Sequence, residues 1–157
     1  MMNLHQHIHE FMSKEGFDLQ GRLLVVRGDG VLVWDAKNDQ HSQSLAALTC
    51  AVWEASAAMA QAAGKVVDHD FRFVFDTSEQ GVVIYPVRMY SPALYLTAVY
   101  QDVTNPAFLK RQIKLLGEKL SQYIETNKLM KTSAPRVREG YLFSDITDAE
   151  MDRLFGL

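Results

Sequence analysis

One stretch constrains this chain more than any other: residues 42–64, SQSLAALTCAVWEASAAMAQAAG, preceded by His41. It is rich in alanine, and Glu54 is its single charge between His41 and Lys65. Leu45, Leu48, Val52, Ala55 and Met59 recur at three- and four-residue spacing, which puts them on one face of an α-helix. That face is the one expected to be buried. A second stripe, Ala47, Cys50, Glu54, Ala57, Ala58 and Gln61, is small and weakly polar where a solvent face would carry lysine, arginine and glutamate. A surface of that kind suits close approach by another helix or another protein. The high helix propensity of alanine is a competing account of the same composition that needs no partner.

The rest of the chain is long enough to bury a core beneath such a helix, because its 157 residues match one domain with an appendage. Hydrophobic residues at 48% and charged residues at 22% place it with globular proteins. A net charge of −3 argues against nucleic-acid binding by bulk electrostatics. No apolar run reaches membrane-spanning length, and the opening MMNLHQHIHEF has neither a cationic nor a long apolar region of the secretory type. A cytoplasmic protein is expected. Cys50 is the only cysteine, which excludes an intrachain disulfide and a cysteine cluster for metal.

Residues 2–14 read as an amphipathic helix with Leu4, Ile8, Phe11 and Met12 on one side. His5 and His9 lie one turn apart in it, but a metal site needs further ligands, and a solvated face is the better reading. Two β-rich runs, 23–27 and 31–35, flank Gly28-Asp29-Gly30, a strong hairpin signal. Arg27-Gly28-Asp29 also spells a cell-adhesion tripeptide, which turn chemistry explains better. The second run is apolar on both faces, which hints at a dimer seam on Val31, Val33 and Trp34. Phe71, Phe73 and Phe75 then alternate with Arg72 and Val74 as a strand with one aromatic face. Residues 81–88 form the next strand, in which Pro86 favours an outer or bulged position. Residues 93–100 are apolar enough to lie at the centre of a sheet. Asn105-Pro106 starts a last helix lined by Leu109, Ile113, Leu116 and Leu120. The order α-ββ-α-βββ-α is that of an α+β domain ending near residue 125.

Beyond it, residues 126–140 lose apolar periodicity and carry Lys128, Lys131, Arg136 and Arg138, the composition of a flexible basic linker. Residues 141–157 contain the capping box Thr147-Asp148-Ala149-Glu150 ahead of Met151, Leu154 and Phe155. This predicts a short amphipathic docking helix, with Ile146, Met151, Leu154 and Phe155 as its anchors. A tail folded back on its own domain is the competing reading. No phosphate loop, zinc motif, nucleophile elbow or paired-carboxylate constellation is present, so no catalytic residue, cofactor or metal is assigned. A binding module is the stronger reading than an enzyme.

The element order, the Ser44-Leu45-Ala46-Ala47-Leu48-Thr49 start of the central helix and the 109–120 helix resemble the roadblock/LC7 family. The tail FSDITDAEMDRLF, residues 143–155, is similar to the C-terminal segment of one branch of it. The resemblance implies a profilin-like, five-stranded antiparallel sheet with helices on both faces. It also implies a homodimer joined through residues 31–35, with the two central helices side by side. Its expected partner is a Ras-like small GTPase, which it would activate without supplying catalytic groups, in cell polarity and motility, at a cell pole. The GTPase contact would fall on Cys50, Trp53, Glu54, Ala57, Ala58 and Gln61. A scaffold or adaptor that binds a GTPase or polarity proteins without stimulating hydrolysis is the alternative. Several residues depart from the family pattern. Val26 stands where many members have Asp, Asn105-Pro106-Ala107 replaces a small-Leu-Gly helix start, and Trp53 and Glu54 are bulky and charged on the expected contact face.

Overall fold

The computed structural model describes residues 2–17 and 21–130; the linker and tail readings, with Ile146, Met151, Leu154 and Phe155, lie outside the described residues apart from the linker's first five. The elements follow the order α1 (Leu4–Glu15), β1 (Gly21–Arg27), β2 (Leu32–Asp35), α2 (Ser42–Ala62), β3 (Phe73–Asp76), β4 (Gly81–Arg88), β5 (Leu94–Tyr100) and α3 (Pro106–Thr126). The five strands form one antiparallel sheet in the order β2-β1-β5-β4-β3. β5, expected at the centre, is the middle strand. Its register sets Thr97 opposite both Leu24 and Ile84. A strand covered on both faces must be apolar in both side-chain phases, as Leu94, Tyr95, Leu96 and Ala98 are.

The alternation of the strands divides the interior into two cores. On one face α1 and α3 cover Leu23, Val25, Val83, Leu96 and Ala98 with Ile8, Phe11, Ile113 and Leu120. On the other, α2 alone covers Leu24, Val26, Ile84 and Tyr95. α1 starts with a capping box in which the Asn3 side chain accepts from the Gln6 N–H and Gln6 accepts from the Asn3 N–H. α3 starts as expected, with Asn105 accepting from the Phe108 N–H and Pro106 in the first turn. Past α3, Leu129 and Met130 still pack against the first core. No helix among the described residues is long and apolar enough to cross a membrane.

Two local features have clear causes. The Arg27 guanidinium donates to the Asp29 carboxylate at 2.7 Å, so the Arg-Gly-Asp sequence is engaged within its own hairpin turn. Pro86 lies in an interior strand, yet β3 pairs with β4 only from Gly81 to Ile84. Among the described residues the outer side of β4 from Tyr85 onward faces no strand, so the missing N–H of Pro86 leaves no ladder bond broken there, and the register shifts between Pro86 and Arg88.

Candidate functional site

α2 is anchored at its start by a buried polar network. The Ser42 hydroxyl donates to the Asp35 carboxylate and accepts from the Asp39 N–H at 2.8 Å. Arg22 pairs with Asp39 and lies 3.8 Å from Asp35. The His41 N–H, with Arg22 behind it, holds the Asp39 carboxyl below the usual carboxylate range. Ser42, Asp35 and Arg22 are all buried, so a sheet edge and a helix start are tied together by satisfied polar groups rather than by apolar contact.

From that anchor the helix turns a face to the sheet that differs from the expected one. The inward residues are Ser42, Ala46, Thr49, Cys50 and Trp53. Leu48 is 58% exposed and Met59 is 75% exposed, and Ala55 is exposed as well, while Leu45 and Val52 are half-buried. The expected buried face is therefore one flank of the helix, and the small stripe is the other. The cause is the distance between helix and sheet. Serine, alanine, threonine and cysteine on the inner face let the backbone approach the strands closely, and Trp53 fills the wider space at the far half.

This rotation corrects two of the six contact residues. Cys50 is 9% exposed and Trp53 5% exposed, so neither stands on the outer surface. The Cys50 thiol donates to the Arg27 carbonyl at 3.1 Å, and burial pushes its pKa up, the opposite of a reactive thiolate. Trp53 packs on the Tyr95 ring with centroids 5.1 Å apart. Burial, with Glu54 close by, pushes the Tyr95 phenol strongly up. Glu54, Ala58 and Gln61 are exposed, and Ala57 is half-buried beside Phe71 and Phe73. Trp53, a departure from the family pattern, thus belongs to the core, as does Val26.

The flanks face opposite ends of the sheet. Ala47 stands over Gly30, and Cys50 bonds Arg27, which places the Ala47–Glu54–Ala58–Gln61 flank toward the β1–β2 turn. The Leu48–Val52–Met59 flank looks toward the other end, where Val99, Val82 and Phe75 form a row across β5, β4 and β3. Phe75 shares the phase of Phe73, which packs in the α2 core, yet it is 73% exposed on the edge strand. Sequence pattern put Phe75 on one aromatic face with Phe71 and Phe73 and gave no sign that this row extends beyond the cover of α2.

The opposite edge, β2, is less open. Val33 is buried beneath α1, Trp34 is half-buried against the same core, and the Val33 carbonyl accepts from His5 Nδ1 at 3.0 Å. His7 is likewise engaged, with the Tyr123 hydroxyl at 3.2 Å. Both histidines of α1 that touch the domain make contacts of their own.

No protein-family model and no curated protein matches the sequence. Solved structures do match. MglB of Myxococcus xanthus aligns with a TM-score of 0.62 at 16% identity over 85% of this chain and 97% of that one. The gliding protein MglB of Thermus thermophilus gives 0.62 at 16% identity, over 80% and 95%. A roadblock/LC7 domain of Streptomyces avermitilis gives 0.57 at 13% identity, over 79% and 99%. Five antiparallel strands with α2 on one face and α1 and α3 on the other give this chain the roadblock/LC7 fold, in the form MglB takes.

Proposed function

We propose that the chain is a homodimeric regulator of an MglA-like, Ras-like small GTPase, acting as a GTPase-activating protein. The observation that carries this reading is the outer surface of α2. It is a helix of 21 residues with one charge, and beyond its first turn its exposed positions are Ala47, Leu48, Ala51, Ala55, Ala58, Met59 and Ala62 with Glu54 and Gln61. A contiguous apolar helix face on a small domain marks an interaction site. The GTPase contact is assigned to the flank carrying Glu54, Ala58 and Gln61, with Ala57 at its margin. Activation is a population shift, in which the bound GTPase takes up a catalytic arrangement of its own residues. The tail anchors Ile146, Met151, Leu154 and Phe155 provide a second contact with the same GTPase.

The second copy is assigned to the other flank. β2, with Val31, Val33 and Trp34, is the less suitable seam, because α1 covers Val33 and His5 occupies its carbonyl. Phe75 on β3, in register with Val82 and through it with Val99, offers an exposed apolar side chain on an edge strand. The solved neighbours include MglB with a tetrameric arrangement, consistent with a fold that assembles.

The test is the single-turnover GTP hydrolysis rate of the cognate GTPase with and without this protein. Saturable acceleration at two chains per GTPase supports an activator with one site per dimer. Binding without acceleration replaces it with the adaptor reading.

A further inference from the structure

Between β4 and α3, reaching the segment that follows α2 at Val67–Asp70, lies a groove of about 1210 Å³. It exists because β3 begins only at Phe73, opposite Ile84, leaving Tyr85–Arg88 with no strand among the described residues on their outer side. Its floor is apolar, with Tyr85, Pro86, Val87 and Ile124. Gly117 lets α3 settle on the Tyr85 ring, where a Cβ would stand 2.3 Å from Cδ1. Its rim is mainly acidic: Asp68, Asp70, Glu118 and Glu125 line it, against Arg88 and Lys128. Glu118 has Lys114 at 3.8 Å on the same helix, and the Tyr85 phenol is raised first by burial and then by Glu118 and Asp70.

The chain itself enters this groove. Lys128 and Met130 line it, and Met130 is the last described residue. The residues that follow, 131–140, carry Lys131, Arg136 and Arg138 against Glu139. Ten residues reach about 33 Å when extended, enough to run the length of α3. We propose that residues 131–140 of the same chain occupy the α3–β4 groove, with Arg136 and Arg138 set against Glu118 and Glu125. The inference is independent of the GTPase reading.

The experiment uses the full chain with Ser121→Cys and Val137→Cys, oxidised at low concentration, with disulfides located by peptide mapping. An intrachain 121–137 disulfide is expected. Adding Arg136→Glu and Arg138→Glu slows its formation at least tenfold. Adding Glu118→Lys and Glu125→Lys to those reversals restores the rate to within about twofold. The proposal is overturned by a rate that the reversals change less than tenfold. It is equally overturned by failure of the swap to restore the rate, or by a product that links two chains. No GTPase is present, so the result stands apart from the test of function.

Discussion

Trp53 lies against Tyr95 with ring centroids 5.1 Å apart and planes inclined at 36°, joining the far half of α2 to the central strand. This pair decides which way the helix faces, because it is the one large contact on an inner face otherwise made of small residues. Trp53→Ala leaves a void that the sheet cannot close, and it is expected to lower stability by about 3–5 kcal/mol. Urea unfolding followed by circular dichroism measures this. An unchanged midpoint returns Trp53 to the surface.

Gly117→Ala tests the closeness of α3 to β4. In an ordinary helix the change stabilises by up to about 1 kcal/mol. Here the added methyl meets the Tyr85 ring, and overpacking costs about 1–3 kcal/mol, so a net loss is expected. In a Tyr85→Ala background the same change turns neutral or favourable. Thermal melts of the two pairs give the sign directly.

Separate surfaces of α2 call for separate effects. Ala58→Arg is expected to abolish GTPase binding while leaving the melting transition and the dimer intact. Phe75→Asp is expected to weaken self-association at least tenfold with no loss of fold, since the side chain is already exposed. Sedimentation equilibrium and a GTPase titration on each variant separate the two. Equal loss of both properties in either variant contradicts the division.

Acid sensitivity follows from Asp39 and Asp76. The His41 N–H lowers the first, and Lys110 with the Tyr100 hydroxyl lowers the second. A carboxyl lowered in the folded state contributes stability above its unfolded pKa, about 3.9, and loses it as pH falls through the folded value. Melting temperature should owe nothing to these groups' titration between pH 5 and 7 and should fall below about pH 4. Asp76→Asn should flatten that acid limb, which a pH series of melts reads out.

Cys50 gives a probe that needs no partner. Its thiol is buried, bonded to the Arg27 carbonyl and raised in pKa by burial. Alkylation of the native protein at pH 8 should be at least a hundredfold slower than in urea, since only the exposed thiolate reacts. Rapid native labelling restores Cys50 to the outer stripe.

By itself the sequence determined what depends on neighbours along the chain. The capping residue Asn105, the hairpin at Gly28-Asp29-Gly30, β4 at residues 81–88 and the doubly apolar β5 all follow from local chemistry and periodicity. Helical period also fixed how the residues of α2 lie relative to one another. It could not fix which of them faces inward, because that rotation depends on how near the sheet lets the helix come. Small inner residues and one stacked Trp53 settled it, burying Cys50 and exposing Leu48 and Met59. The edges were decided in the same way. Only pairing three-dimensionally left Phe75 beyond the cover of α2 and engaged Val33 with His5, and only the late start of β3 at Phe73 opened the groove beside Tyr85.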